Sequence, residues 1–168
     1  MLIDVSYFMN PPRRVKSLTL GNGTPLIDPN ARRVFEFVRS YIDRYVPEYL
    51  ERMFGRGSRV QRYIMEKDDK ADLVDGFLER LTAILKEPCA DYFYYCMLRD
   101  TVSDTTIDGE VRAKINDSYV SPIRKQVTAW NSMARGNLEA LRWLEGQREG
   151  SGIEVSSTML KFINYFNL

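Results

Sequence analysis

A chain of 168 residues, 44% hydrophobic and 28% charged, has the size of one ordinary domain and enough apolar side chains to bury a core. That composition excludes both an intrinsically disordered chain and the long uninterrupted apolar run of a membrane span. Net charge is only +1, but residues 1 to 67 hold 12 Lys+Arg against 7 Asp+Glu, and residues 68 to 168 hold 12 against 16. A basic front and an acidic back fit head-to-tail contact between copies, or a basic surface near nucleic acid, as well as a plain scatter of solvated charges.

The first residues, Met1 to Asn10, lack the basic stretch and apolar run of a secretory signal, so synthesis inside the cell is expected. Residues 1 to 29 are interrupted by Pro11-Pro12, Gly21-Asn22-Gly23, Pro25 and Pro29, and read as an extended N-terminal arm. Within it, Val15 to Leu20 alternates apolar and polar residues as an added strand would. Arg13, Arg14 and Lys16 are candidate contacts to an acidic partner surface.

From Asn30 onward Val34, Val38, Tyr41, Ile42, Tyr45, Tyr49 and Met53 recur at helical spacing, with Asp28 or Asn30 as cap. Pro47 lacks an amide proton and crowds the preceding turn, so a kink or restart is expected near Val46, with termination at Gly55 and Gly57. A short helix over Arg59 to Met65 follows. Asp68 and Asp69 suit the start of the next helix, whose apolar stripe is Leu73, Val74, Phe77, Leu78, Leu81, Ile84 and Leu85. Lys86-Glu87-Pro88 should break that helix and make Pro88 the first residue of another. The segment after it, Tyr92 to Leu98, is apolar or aromatic nearly all round and predicts a central helix enclosed by neighbours.

Residues 101 to 120 turn polar, and Asp108-Gly109 predicts a small β-hairpin near 105 to 112. Ser121-Pro122 should open the longest helix, carrying Ile123, Val127, Trp130, Ala134, Leu141 and Leu144 and packing antiparallel on the aromatic helix. After a joint at Gly150-Ser151-Gly152 comes a very apolar tail containing Phe162, Ile163 and Phe166, which must dock on its own bundle or on a neighbour. The whole reads as a single all-α domain over 1 to 168: arm 1 to 29, a bundle of four to five helices over 30 to 146, linker and docking tail 147 to 168.

The chemistry that remains is sparse. There is no histidine, which excludes the common catalytic triads and most catalytic zinc sites. Asp104-x-Thr106-x-Asp108-Gly109 has the acid spacing of a calcium loop, but Ile115 stands where the twelfth-position glutamate is needed. Gly21-Asn22-Gly23-Thr24 and Gly55-Arg56-Gly57-Ser58-Arg59 lack the lysine and hydroxyl of a nucleotide loop. Asp68, Asp69, Asp72 and Asp75 read as a solvated helix start. Cys89 and Cys96, seven apart, would lie about 10 Å apart along one helix face, too far to bridge, and read as buried thiols. No catalytic residue, cofactor or metal is expected.

The segment order, with Leu50-Glu51-Arg52-Met53-Phe54-Gly55, the aromatic run Ala90-Asp91-Tyr92-Phe93-Tyr94-Tyr95 and the long helix containing Ala129-Trp130-Asn131, resembles the small helical head-tail connector proteins of tailed bacteriophages and prophages. In particular it is similar to connector-like proteins of phages and prophages of Bacteroides-type bacteria. The resemblance spans residues 30 to 145. It implies a structural virion protein, assembled in the bacterial cytoplasm, that forms a ring between portal and tail with DNA passing through the lumen, without a cofactor and without a membrane. Its expected contacts are Arg13, Arg14, Lys16, Phe162, Ile163 and Phe166 toward neighbours, and Arg56, Arg59 and Arg62 toward DNA. The alternative reading is a nucleic-acid-binding helical regulator using the basic N-terminal half.

Overall fold

The computed structural model describes residues 2–21, 24–25, 28–66, 75–101, 103–106, 109–112, 123–150 and 152–164. Its architecture is an all-α bundle, with four α-helices and two small hairpins among the described residues. Helix α1 spans Pro29–Phe54. The Asp28 carboxylate accepts from the Asn30 amide at 3.1 Å, and Pro29 sits where a missing N–H costs nothing. Gly55, at φ +84°, stops the helix and donates its N–H to the Glu51 carbonyl at 2.8 Å.

Of the kink or restart expected near Val46, the restart does not occur: α1 runs through Pro47. A proline inside a helix costs about 3 kcal/mol. Here Tyr45, Val46, Tyr49 and Leu50 on either side are all buried, and each contributes about 1.5–3 kcal/mol by leaving water. Packing therefore outweighs the local defect. Helix α2, Arg59–Glu66, buries Val60, Tyr63 and Ile64.

Helix α3 spans Gly76–Asp100 and is also continuous across its proline, Pro88, which was expected to separate two helices. Tertiary contact again decides the matter. Residues 89 to 94 are all buried, and the Pro88 ring lies against Gly136 so closely that a Cβ there would meet its ring carbons at 3.0–3.3 Å. The helix start is capped by Asp75, whose carboxylate accepts from the Phe77 and Leu78 amides at 3.1 Å each. The anticipated starters Asp68 and Asp69, with Asp72, Leu73 and Val74, lie outside the described residues.

Among the described residues helix α4 covers Ile123–Glu145, 23 residues against 26 in α1, and its expected start at Ser121-Pro122 lies outside them. It does pack antiparallel on α3. Phe77 stacks on Trp143 at 5.2 Å, Pro88 meets Gly136, and Tyr95 sits edge-on to Trp130 at 5.0 Å, so one number rises as the other falls. The aromatic run is the spine of the core, as its composition predicts: Tyr92, Phe93 and Tyr94 are buried, with Cys96 and Met97. Helix α1 joins this spine through Tyr49 against Tyr92 at 5.6 Å, and Tyr92 donates to Glu48 at 2.8 Å. At the other end of the seam Tyr45 donates to Asp100, which also accepts from Arg99 at 2.8 Å.

The expected arm folds back as part of the core. Leu2, Ile3, Val5, Phe8 and Leu18 are buried, and the Phe8 ring lies 4.1 Å from Phe93. A one-turn 3₁₀ helix, Val5–Phe8, is capped by Asp4. Its apolar residues follow neither a helix nor a strand period, so only their burial reveals their role. Val15 to Leu20 is not a free strand: Val15 donates back to the Phe8 carbonyl at 2.9 Å, and Ser17 turns at φ +65°. Leu20–Gly21 (β1) pairs with Thr24–Pro25 (β2) in the chain's own small hairpin. The second hairpin appears where it was expected, Ser103–Thr106 (β3) against Gly109–Arg112 (β4), with Gly109 paired to Thr106 inside the ladder.

Candidate interaction surface

The C-terminal segment docks on its own bundle, the first of the two outcomes anticipated for it. After α4 the chain reverses through Gly146 to Gly152, then runs back along the helix. Gly150 makes this reversal: a Cβ there would meet the Leu144 carbonyl oxygen at 2.3 Å. The returning segment is held mainly through its main chain. Ser156 N–H donates to the Met53 carbonyl at 2.9 Å, and Trp130 Nε1 donates to the Lys161 carbonyl at 2.8 Å. Asn131 grips Ile163 from both sides, donating to its carbonyl at 3.0 Å and accepting from its N–H at 2.7 Å.

The deepest of these fastenings is Asn137, fully buried on the apolar face of α4. Its Nδ2 donates to the Met159 carbonyl at 2.9 Å, and its Oδ1 accepts from the Tyr49 hydroxyl at 2.7 Å. One amide thus ties α1, α4 and the tail together. Burial raises the Tyr49 phenol well above its ordinary pKa, so it stays a proton donor. Met159 fills the space below with 1% exposure. Main-chain capture leaves the Phe162 side chain outside, 52% exposed.

The predicted contact residues divide accordingly. Arg13 is not an outward contact: its Nε reaches Asp91 and its Nη2 reaches Glu87, both at 2.5 Å, and its side chain is 12% exposed. The physical reason is Asp91, a buried carboxylate on the core helix that needs a cation. Arg14 and Lys16 are exposed. Phe162 is exposed, Ile163 is partly covered and bound through its backbone, and Phe166 lies outside the described residues. Sequence reading missed Asn131 and Asn137 as fastenings; the one available signal was a polar residue, Asn137, within the apolar pattern of α4.

Arg56, Arg59 and Arg62 are all exposed. Arg59 and Arg62, three apart on α2, line a shallow cavity of about 350 Å³ together with Glu66 and Asp75. Arg59 pairs with Asp75 at 2.6 Å, and the Leu78 amide and that guanidinium hold the Asp75 carboxyl below its usual range. Two cations facing two carboxylates make this a mixed surface and not a phosphate-tracking stripe. Elsewhere in the basic front, Arg32 pairs with Glu36 at 3.0 Å and Arg52 with Glu48 at 2.8 Å.

Both cysteines are buried free thiols; burial pushes Cys96 up to about 11 and raises Cys89 well above its ordinary value. Among the described residues no group of three or more acidic or cysteine side chains could hold a metal ion. Among the same residues no helix is long and apolar enough to cross a membrane. No protein-family model, curated protein or solved structure matches the chain.

Proposed function

We propose that this chain is a non-enzymatic structural subunit of the head-tail connector kind, which oligomerises as a ring in the neck of a tailed phage between portal and tail, with DNA in the lumen. It would be assembled in the bacterial cytoplasm and reside in the virion. The observation that carries the reading is the half-exposed Phe162 on a tail fastened through its main chain. An apolar side chain held on a rigid support is suited to insert into a neighbour, because its ordering cost is already met within the monomer. The resemblance in segment order supplies the particular assembly.

Light scattering coupled to size exclusion, with negative-stain imaging, tests this on the purified chain at high concentration and with its portal. Rings or discrete oligomers that Phe162→Glu disperses, with helical content unchanged, are expected. A monomer under both conditions overturns the proposal. The alternative, a nucleic-acid-binding regulator, has less support because Arg13, Arg32, Arg52 and Arg59 are each engaged by carboxylates. Salt-sensitive DNA affinity lost on removing Arg56 and Arg62 would restore it.

A further inference from the structure

The bundle grips its C-terminal segment by the backbone far more than by the side chains. The carbonyls of Met159, Lys161 and Ile163 each accept from a side chain of α4: Asn137 Nδ2 at 2.9 Å, Trp130 Nε1 at 2.8 Å and Asn131 Nδ2 at 3.0 Å. The Ile163 N–H donates back to Asn131 Oδ1 at 2.7 Å, and the Ser156 N–H donates to the Met53 carbonyl of α1 at 2.9 Å. After a one-turn 3₁₀ helix, Ser157–Leu160, the segment becomes extended, with Lys161 at φ −82° and ψ 132°. Alternate residues of an extended chain face the same way, so the carbonyls of Lys161 and Ile163 both turn to α4.

Only Met159, 1% exposed, has its side chain enclosed; Leu160 and Ile163 are partly covered, and Lys161 and Phe162 are exposed. Backbone groups are the same in every chain, so this face accepts an extended segment in general and selects through the one pocket that holds Met159. The source of such a segment follows from connectivity. Every receiving group, on Met53, Trp130, Asn131 and Asn137, precedes Gly146, and every group received follows Gly152. The tail of a second copy offers the same groups in the same order, so an exchange of tails keeps each bond. The chain's own tail prevails through its effective concentration, about millimolar for a short connection. That connection is tight, because a Cβ at Gly150 would meet the Leu144 carbonyl oxygen at 2.3 Å.

We propose that the face of α1 and α4 beneath the tail is a peptide-binding groove, and that its partner is the C-terminal segment of a second copy of this chain, exchanged for its own when the turn from Gly146 to Gly152 opens. None of these contacts uses the Phe162 side chain, so the exchange stands apart from the neck assembly proposed above.

Two full-length chains test this, both carrying Phe162→Glu so that assembly through that side chain is absent. One also carries Met159→Asp, which puts a carboxylate into the enclosed pocket and so spoils the tail while sparing the groove. The other also carries Trp130→Phe and Asn131→Ala, which remove three of the bonds from the groove and spare the tail. Each alone should be a monomer by light scattering, and the mixture should form a one-to-one heterodimer. A fluorescent peptide of residues 153–164 should bind the Met159→Asp chain saturably in an anisotropy titration. N-methylation of that peptide at Ile163 removes a backbone donor and no side chain, and should weaken binding by at least about fivefold, as for one lost hydrogen bond. Circular dichroism checks that both chains are folded, and Met159→Ala takes the place of the aspartate variant if that one is not. Absence of the heterodimer, absence of saturable peptide binding, or an N-methylated peptide that binds as tightly as the unmodified one would each overturn the proposal.

Discussion

Replacing Asn137 by alanine should be among the most damaging single changes in the chain, although the residue touches no solvent and carries no charge. The substitution removes both hydrogen bonds of the amide at once. It leaves the Tyr49 hydroxyl, in a residue with 0% exposure, and the Met159 carbonyl without their partners. Each stranded buried group costs about 1–3 kcal/mol, and the loosened tail lets water reach one of them, so a total of about 3 kcal/mol is expected. For a domain of this size that corresponds to a fall in Tm of about 6–12 °C. Tyr49→Phe alone removes only one of the two bonds and should cost about 1.5 kcal/mol. The double variant should cost less than the sum by about 1 kcal/mol, because in the alanine background the Tyr49 hydroxyl is already a liability. Urea unfolding followed at 222 nm measures all three. A stability for Asn137→Ala within 1 kcal/mol of the parent, or strict additivity in the double variant, would refute the reasoning.

Three further expectations follow from other contacts. Arg13→Ala strands the buried Asp91 carboxylate, 7% exposed at its side chain, and should cost about 3 kcal/mol in the same urea assay; Asp91→Asn in that background should recover part of it. Gly150→Ala places a methyl against the Leu144 carbonyl and should open the turn, releasing the tail to limited proteolysis while the helical signal persists. Alkaline pH should unfold the protein. The phenols of Tyr49 and Tyr92 are raised by burial above 10.0 and the Cys89 thiol above 9.0, so the unfolded chain loses these protons first and the native state holds more. The stabilisation is complete below about pH 9 and then declines by about 1.4 kcal/mol per pH unit for each group that only the unfolded state has released. Cys96, pushed up to about 11, ceases to add to the slope above that pH. A urea midpoint unchanged between pH 9 and 10.5 would contradict this.

The sequence by itself determined the fold class and most of the helices, because a helix that buries one face must repeat apolar residues every three or four positions, and Val38, Ile42, Tyr45, Tyr49 and Met53 do so without help from the rest of the chain. It also determined that the aromatic run would be central, since no amphipathic face is left there for solvent, and that a hairpin would form near 105 to 112. The tertiary structure alone decided the fate of the two internal prolines. Whether a proline ends a helix depends on what packs around it, and Gly136, which receives the Pro88 ring, lies 48 positions away in sequence. The same holds for the N-terminal segment. Its residues look like an arm because Leu2, Ile3, Val5 and Phe8 have no period, and they join the core because Phe93 offers a face to cover. Arg13 reads as a cluster of surface charge until Asp91 is placed beside it, 78 positions on. Asn131 and Asn137 gained their roles only when the tail turned back at Gly150. Local pattern is set by each residue's own propensity and near neighbours, whereas the pairing of buried polar groups depends on which distant surfaces meet.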